Sequence, residues 1–253
     1  MSNDGDNYLR NIINNNKASI ISIDDYRLSN IKSIIYSWAG YQLSELIKSG
    51  SSAKGTAIKG VSDIDLFISL KSDTNGTLKE IYNSLDDFVK SKYIITRRQN
   101  VSIGITQSGL KIDLVPGKKQ SGYQNFHSIY VSKKDTWSQT NIHSNIDLIN
   151  NSNRKDEIIL TKIWRKNHNL DFLSIYLELI VLESLEYKQI GDLSNNFWTV
   201  LTYLRDEFVD KRIIDPSNTN NIISDVLYKY EKEAVAAKAK ESISKQYWSE
   251  IVC

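Results

Sequence analysis

Asp63 and Asp65 stand one residue apart in the segment Ser62-Asp63-Ile64-Asp65-Leu66-Phe67-Ile68-Ser69-Leu70, where Ile64, Leu66, Ile68 and Leu70 take every second place. That alternation predicts a β-strand, and on a strand residues i and i+2 project to the same face. Two carboxylates held side by side repel each other unless a cation lies between them. A second alternating segment, Leu110, Ile112 and Leu114, carries Asp113 in similar register and supplies a third carboxylate. An isolated Asp-x-Asp is usually a solvated strand edge. Here the Gly50-Ser51 loop upstream and the later Ile112-Asp113-Leu114 strand argue instead for a built site.

Oxygen ligands on one face suit Mg²⁺, which uses one or two carboxylates and completes its shell from phosphates and water. Three carboxylates can hold two such ions about 3.5–4 Å apart, one activating an attacking hydroxyl and the other stabilising a leaving pyrophosphate. Mn²⁺ is the expected substitute. Gly50 and Ser51 would let backbone N–H groups approach a triphosphate. The loop is not a Walker A motif. Gly50 and Gly55 have the spacing, but Thr56 follows Gly55 directly, Lys54 precedes it, and the loop opens a strand instead of a helix. His127, His143 and His168 lack partners at zinc spacing, so no zinc site is expected.

Around these residues the periodicity predicts a helix over 24–48, a helix over 77–91, a strand through Val101, Ile103 and Ile105, and a turn at Gln107-Ser108-Gly109. The strand after that turn is expected to stop at Pro116-Gly117. Beyond Asn150-Asn151-Ser152-Asn153, helices are predicted over 155–167, 172–188, 194–210 and 219–250. The expected fold class is therefore α+β. A mixed sheet with flanking and N-terminal helices spans 1–150, and a helical domain over 151–253 closes a nucleotide cleft.

Hydrophobic residues make up 40% and charged residues 25%, as in globular proteins. A formal net charge of +2 gives no bulk attraction for nucleic acid, and no strongly basic run follows the core. A large nucleic-acid footprint is not expected. The single cysteine, Cys253, allows no internal disulfide framework and fits a cytoplasmic setting. No apolar run has the roughly 18 residues that a membrane span needs.

The order Gly50-Ser51, Lys54-Gly55-Thr56, Gly60, Ser62-Asp63-Ile64-Asp65-Leu66 and Asp113-Leu114-Val115-Pro116 resembles the DNA polymerase β nucleotidyltransferase superfamily. Within it the likeness is to the bacterial CD-NTase (SMODS) enzymes, relatives of cyclic GMP-AMP synthase and oligoadenylate synthase. Archaeal CCA-adding enzymes share the core motifs. The likeness continues through Trp137, Thr140 and His143, the Leu160-Thr161-Lys162-Ile163-Trp164 helix, Ser174 with Tyr176-Leu177-Glu178-Leu179, and Asp215-Pro216 with Asn218 and Asn221.

The resemblance implies a polymerase β-like core in which Asp63, Asp65 and Asp113 are catalytic and hold the metals. It places Gly50 and Ser51 on the nucleotide phosphates, Lys162 and Ser174 on the β- and γ-phosphates, and Tyr176 against a base. Trp137, Trp164 and Trp198 are expected as core anchors, and Asp215-Pro216 as a turn. The implied activity is template-independent joining of NTPs or dNTPs into a short cyclic or linear signalling oligonucleotide with pyrophosphate release. The implied setting is bacterial antiviral defence beside an effector protein encoded nearby. Alternatives are a CCA-adding-like RNA nucleotidyltransferase and a nucleotide-binding pseudoenzyme. The presence of all three carboxylates argues against the pseudoenzyme.

Overall fold

The alternating segments pair into one sheet, and the helical segments collect around a separate apolar core. The computed structural model describes residues 2–253 except Ile94 and Gln124. In chain order the elements are α1 (Ser2–Asn16), α2 (Ser29–Ala39), β1 (Leu43–Ser49), α3 (Gly50–Lys54), β2 (Ile64–Leu70), α4 (Leu78–Lys90), β3 (Thr96–Arg98), β4 (Ile103–Gln107), β5 (Leu110–Lys119), β6 (His127–Val131) and β7 (Thr136–Thr140). They continue with α5 (Ile142–Asn151), α6 (Lys155–Asn167), α7 (Ser174–Ser184), α8 (Leu193–Asp206), β8 (Ile214–Asp215), β9 (Asn218–Ile222) and α9 (Lys229–Ile243).

The chain forms two compact units. One holds residues 20–54 and 62–147, the other residues 1–19, 55–61 and 148–253. The expected division at residue 150 therefore changes. The N-terminal helix and the short stretch 55–61 join the helical unit, because Leu9, Ile13 and Ile58 bury their side chains in its core.

In the sheet unit the strand order is β1-β2-β5-β4-β3, with β6 on β5 and β7 on β6. β2 runs parallel to β5, and the other pairs are antiparallel. β2 is buried almost without a break from Ile64 to Leu70, because α2 and α4 share a core with Ile64, Leu66, Ile68 and Leu70 while Phe67 packs on the other face against His127. Ile31 and Ile35 of α2, and Ile81, Tyr82, Leu85 and Val89 of α4, share a core with these strands. α4 begins at a capping box in which Thr77 and Glu80 satisfy each other's backbone N–H groups.

Two expectations are corrected here. The helix expected over 24–48 is only Ser29–Ala39. Gly40, at φ +52°, breaks it, and Leu43–Ser49 pairs with β2 instead. Leu43, Leu46 and Ile47 mimic helical spacing, but sheet pairing overrides that local pattern. The third strand runs through Pro116-Gly117 to Lys119. Pro116 falls after the β4 pairing has ended at Leu114 and before the β6 pairing begins at Gly117, where a missing N–H costs little.

In the helical unit α6, α7 and α8 follow the expected segments closely. The stretch 219–250 is a β-strand, a short turn and then α9, not one helix. Beyond it, Ile251 and Val252 are buried in the core of this unit.

At the far end of β2, Ser69 and His127 form a buried pair at 2.8 Å. The His127 ring meets Phe67 edge-on at 4.9 Å between centroids. His127 Nδ1–H donates to the Asn125 carbonyl at 3.1 Å, so Nε2 accepts from the Ser69 hydroxyl and the ring is satisfied while neutral. Burial lowers its pKa to about 4. The unfolded chain takes up this proton near the ordinary histidine value and the folded chain does so only near 4. Stability is therefore complete above about 6.5 and is lost as pH falls toward 4. His127→Gln should remove this dependence, worth at most about 1.4 kcal/mol per pH unit, from urea melts taken between pH 4 and 7.

Candidate active site

Residues opposite one another on paired strands project to the same face, so register alone assembles the site. Ser49 stands opposite Asp65, Asp65 opposite Asp113, Asp113 opposite Gly104, and Gly104 opposite Arg97. These five residues form one row across β1, β2, β5, β4 and β3. Asp63, two residues before Asp65, reaches the same place. Arg97 Nη2 lies 3.6 Å from Asp63 Oδ2 and 3.8 Å from Asp113 Oδ1. The three expected carboxylates are thus brought together.

Gly50 opens α3 immediately after β1, with φ +61° in the left-handed region that favours glycine. A Cβ there would lie 1.7 Å from Asp65 Oδ2, so only a glycine allows the carboxylate to pack against this turn. Ser51, half-buried, follows on the same turn.

The charge of this face is tightly managed. The Asp113 carboxyl is pushed upward by burial and then by the negative charge of Asp63, while Arg97 and a hydrogen bond from Gln99 oppose the rise. Gln99 Nε2 donates to Asp113 Oδ1 at 2.8 Å. The Gln99 carbonyl in turn accepts from the Tyr82 hydroxyl at 2.6 Å and from the Ser132 hydroxyl at 3.0 Å. Among the described residues, no three acidic, histidine or cysteine side chains form a ready-made metal cluster as they stand. The Arg97 guanidinium lies on this face, beside Asp63 and Asp113. An oxygen-only set that already draws a cation is chemically suited to a hard divalent ion such as Mg²⁺.

Sequence reasoning missed Arg97 and Gln99. The run Thr96-Arg97-Arg98-Gln99 has no strand periodicity to mark it. Gly104, inside the alternating Val101–Ile105 segment, was the available signal, because a glycine within a strand often marks a close approach.

The expected residues of the helical unit lie differently. Lys162 and Glu178 are buried, with side chains only 2% and 1% exposed, and their ion pair spans 2.7 Å. Lys162 Nζ also donates to Thr56 Oγ1 at 2.9 Å. The structure thus gives this ammonium a partner and a tether inside the unit, where a phosphate grip was expected. Ser174, in the first turn of α7, is exposed, and its hydroxyl accepts from Arg165 Nη2 at 3.2 Å. Arg165, which the sequence reading passed over, adds a cation there.

Tyr176 is a correction. Its ring is fully buried and stacked on Phe208, with centroids 5.0 Å apart and planes 24° apart, so a base cannot take that face. Its buried hydroxyl has no hydrogen-bond partner among the described residues. Trp164 is a core anchor, donating to Ser242 Oγ at 2.9 Å. Trp137 is not, because it is 58% exposed on β7. Asp215 does form a turn, accepting from the Ser217 N–H at 2.8 Å.

Comparison with known proteins extends these observations. The SMODS family model, described as the Second Messenger Oligonucleotide or Dinucleotide Synthetase domain, matches residues 2–153. A cyclic AMP-AMP-AMP synthase of Escherichia coli (strain MS 115-1) is 26% identical over 166 residues, covering 58% of this chain and 51% of that protein. The match thus spans about half the length of that curated relative. Among solved structures, E. coli MS115-1 CdnC with ATP gives a TM-score of 0.76 at 20% identity, covering 94% of this chain and 90% of that one. The Bradyrhizobium diazoefficiens CD-NTase CdnG in complex with GTP gives 0.76 at 12% identity, covering 98% and 95%. Both are likenesses of fold, that of the polymerase β-like nucleotidyltransferases. The matched span takes in more than half of the residues and the whole carboxylate row, and the chain belongs to the SMODS family of nucleotidyltransferases.

Proposed function

We propose that this chain joins nucleoside triphosphates without a template into a short signalling oligonucleotide, releasing pyrophosphate, as part of a cytoplasmic antiviral defence. The row in which Asp65 stands beside Asp113, with Asp63 on the same face, carries the reading. Family membership and the likeness to a cyclic AMP-AMP-AMP synthase support it and favour a cyclic product. Asp63, Asp65 and Asp113 would hold divalent ions, Mg²⁺ with Mn²⁺ as substitute. When bound, such ions lower the pKa of an attacking hydroxyl and stabilise the leaving pyrophosphate.

The chain's own groups do the remaining work. Gly50 and Ser51 present a turn that a triphosphate can approach closely, with Asp65 packed against it. Gln99 fixes the orientation of Asp113. Ser174, with Arg165 beside it, offers a hydroxyl and a guanidinium to terminal phosphates, contacts that mainly bind. Lys162 contributes from inside the helical unit, by fixing the buried Thr56 and with it the stretch 55–61.

Incubation with labelled NTPs and Mg²⁺, with and without RNA, tests the proposal directly. Small soluble oligonucleotides formed without RNA are expected. Extension of added RNA alone would replace this reading with the CCA-adding-like one. Asp63→Asn combined with Asp65→Asn should abolish incorporation while the melting temperature holds or rises, since the change relieves repulsion. Full activity in that variant would refute the metal assignment. Gly50→Ala should lower kcat by about 10²-fold, because the added Cβ displaces Asp65 by something on the order of an ångström. Ser174→Ala should raise KM for NTP with the melting curve unchanged. Lys162→Ala should instead destabilise the fold by about 3–5 kcal/mol by leaving Glu178 buried without its partner, and Lys162→Met with Glu178→Leu should recover most of that loss. Chemical denaturation separates the two cases.

A further inference from the structure

Arg97 stands outside the reaction described above, yet its guanidinium reaches two of the three carboxylates. We propose that Arg97 is the acidic row's own counter-cation, drawing Asp63 and Asp113 together before a divalent ion binds and giving up its place when one does. The proposal rests on the reading of these carboxylates as metal ligands.

The strongest observation is the vacancy at Gly104. This glycine has no left-handed φ, so the backbone does not demand it. A Cβ there would stand 2.9 Å from Asp113 Oδ1 and 3.0 Å from both Nε and Nη2 of Arg97. The space that a side chain would fill is taken by the ion pair. Register places Arg97 and Asp113 on either side of that vacancy, on the strands flanking β4. The seat is therefore part of the sheet and does not depend on a loose surface encounter.

The contact is also built to yield. At 3.6 and 3.8 Å, Arg97 makes neither of the short, charge-assisted hydrogen bonds that would fix it, which lie at about 2.7–2.9 Å. Its side chain is 43% exposed, so the guanidinium can rotate into water, whereas that of Asp113 is 13% exposed. Asp113 does not depend on Arg97 for its orientation. Gln99 holds Oδ1, and Tyr82 and Ser132 hold the Gln99 backbone. Charge compensation and positioning are thus divided between two neighbouring residues of one hairpin. A divalent ion entering the row meets Asp113 already oriented, and it competes with the Arg97 guanidinium for Asp63 and Asp113. Arg97 is accordingly a residue that sets metal affinity, and it takes no part in bond making.

The test is a Mn²⁺ titration of the full chain without nucleotide, following free Mn²⁺ by electron paramagnetic resonance, on the wild type, Arg97→Gln and Arg97→Lys. Melting curves are taken with and without Mn²⁺. Arg97→Gln should bind Mn²⁺ about tenfold more tightly, the scale of a partly exposed ion pair. It should melt lower than the wild type without metal, and the gap should close as metal saturates. Arg97→Lys, which keeps the charge, should stay near the wild type in both readouts. Unchanged or weaker Mn²⁺ binding by a folded Arg97→Gln overturns the proposal alone. A folded wild type and a folded Arg97→Gln that both take up no Mn²⁺ overturn the metal reading, and the proposal with it.

Discussion

Parallel pairing of β2 with β5 sets Asp65 beside Asp113, and like charges held together in a half-buried place must be compensated. Much of the surrounding architecture answers that demand. Gly50 gives up a side chain so that Asp65 fits against the turn after β1. Gly104 gives up another so that Arg97 and Asp113 can share one place. Gln99 holds the Asp113 carboxylate and opposes the rise in its pKa that burial causes. The acidic row is thus defined as much by missing side chains as by those present.

Legibility in the sequence followed the physics of each feature. The three aspartates were readable because strand period and chemistry coincide in Ile64-Asp65-Leu66 and Ile112-Asp113-Leu114. β1 was not, since Leu43, Leu46 and Ile47 satisfy a helical spacing and only the partner strand decides between the two. Arg97 and Gln99 act through register, which no local pattern encodes. The buried place of Tyr176 has a signal in the composition of its helix. Ser174–Ser184 is apolar on nearly every side, as a helix enclosed by its neighbours must be, so a ring on it belongs in the core.

The Lys162–Glu178 pair shows how two buried charges can set the geometry of a neighbouring segment. Two buried charges gain little net stability from each other, but they fix a geometry. Here that geometry includes Thr56, in the short stretch that the chain sends into the helical unit between Gly50 and Asp63. Removing the cation would disturb that stretch whether or not the cation ever meets a phosphate.

The division of the chain into units has a further consequence, for synthesis on the ribosome. Among the described residues, the core of the sheet unit draws on side chains between Ile21 and Tyr130, so it can consolidate as soon as that stretch has emerged. The helical core contains Leu9 and Ile13 from the first helix and Ile58 from the middle, together with Ile149 to Val252. The side chains of Leu9 and Ile13 stay uncovered until α6 and α8, which pack against α1, have also been made. On a growing chain the sheet unit can therefore close while Leu9 and Ile13 still lack the side chains that cover them.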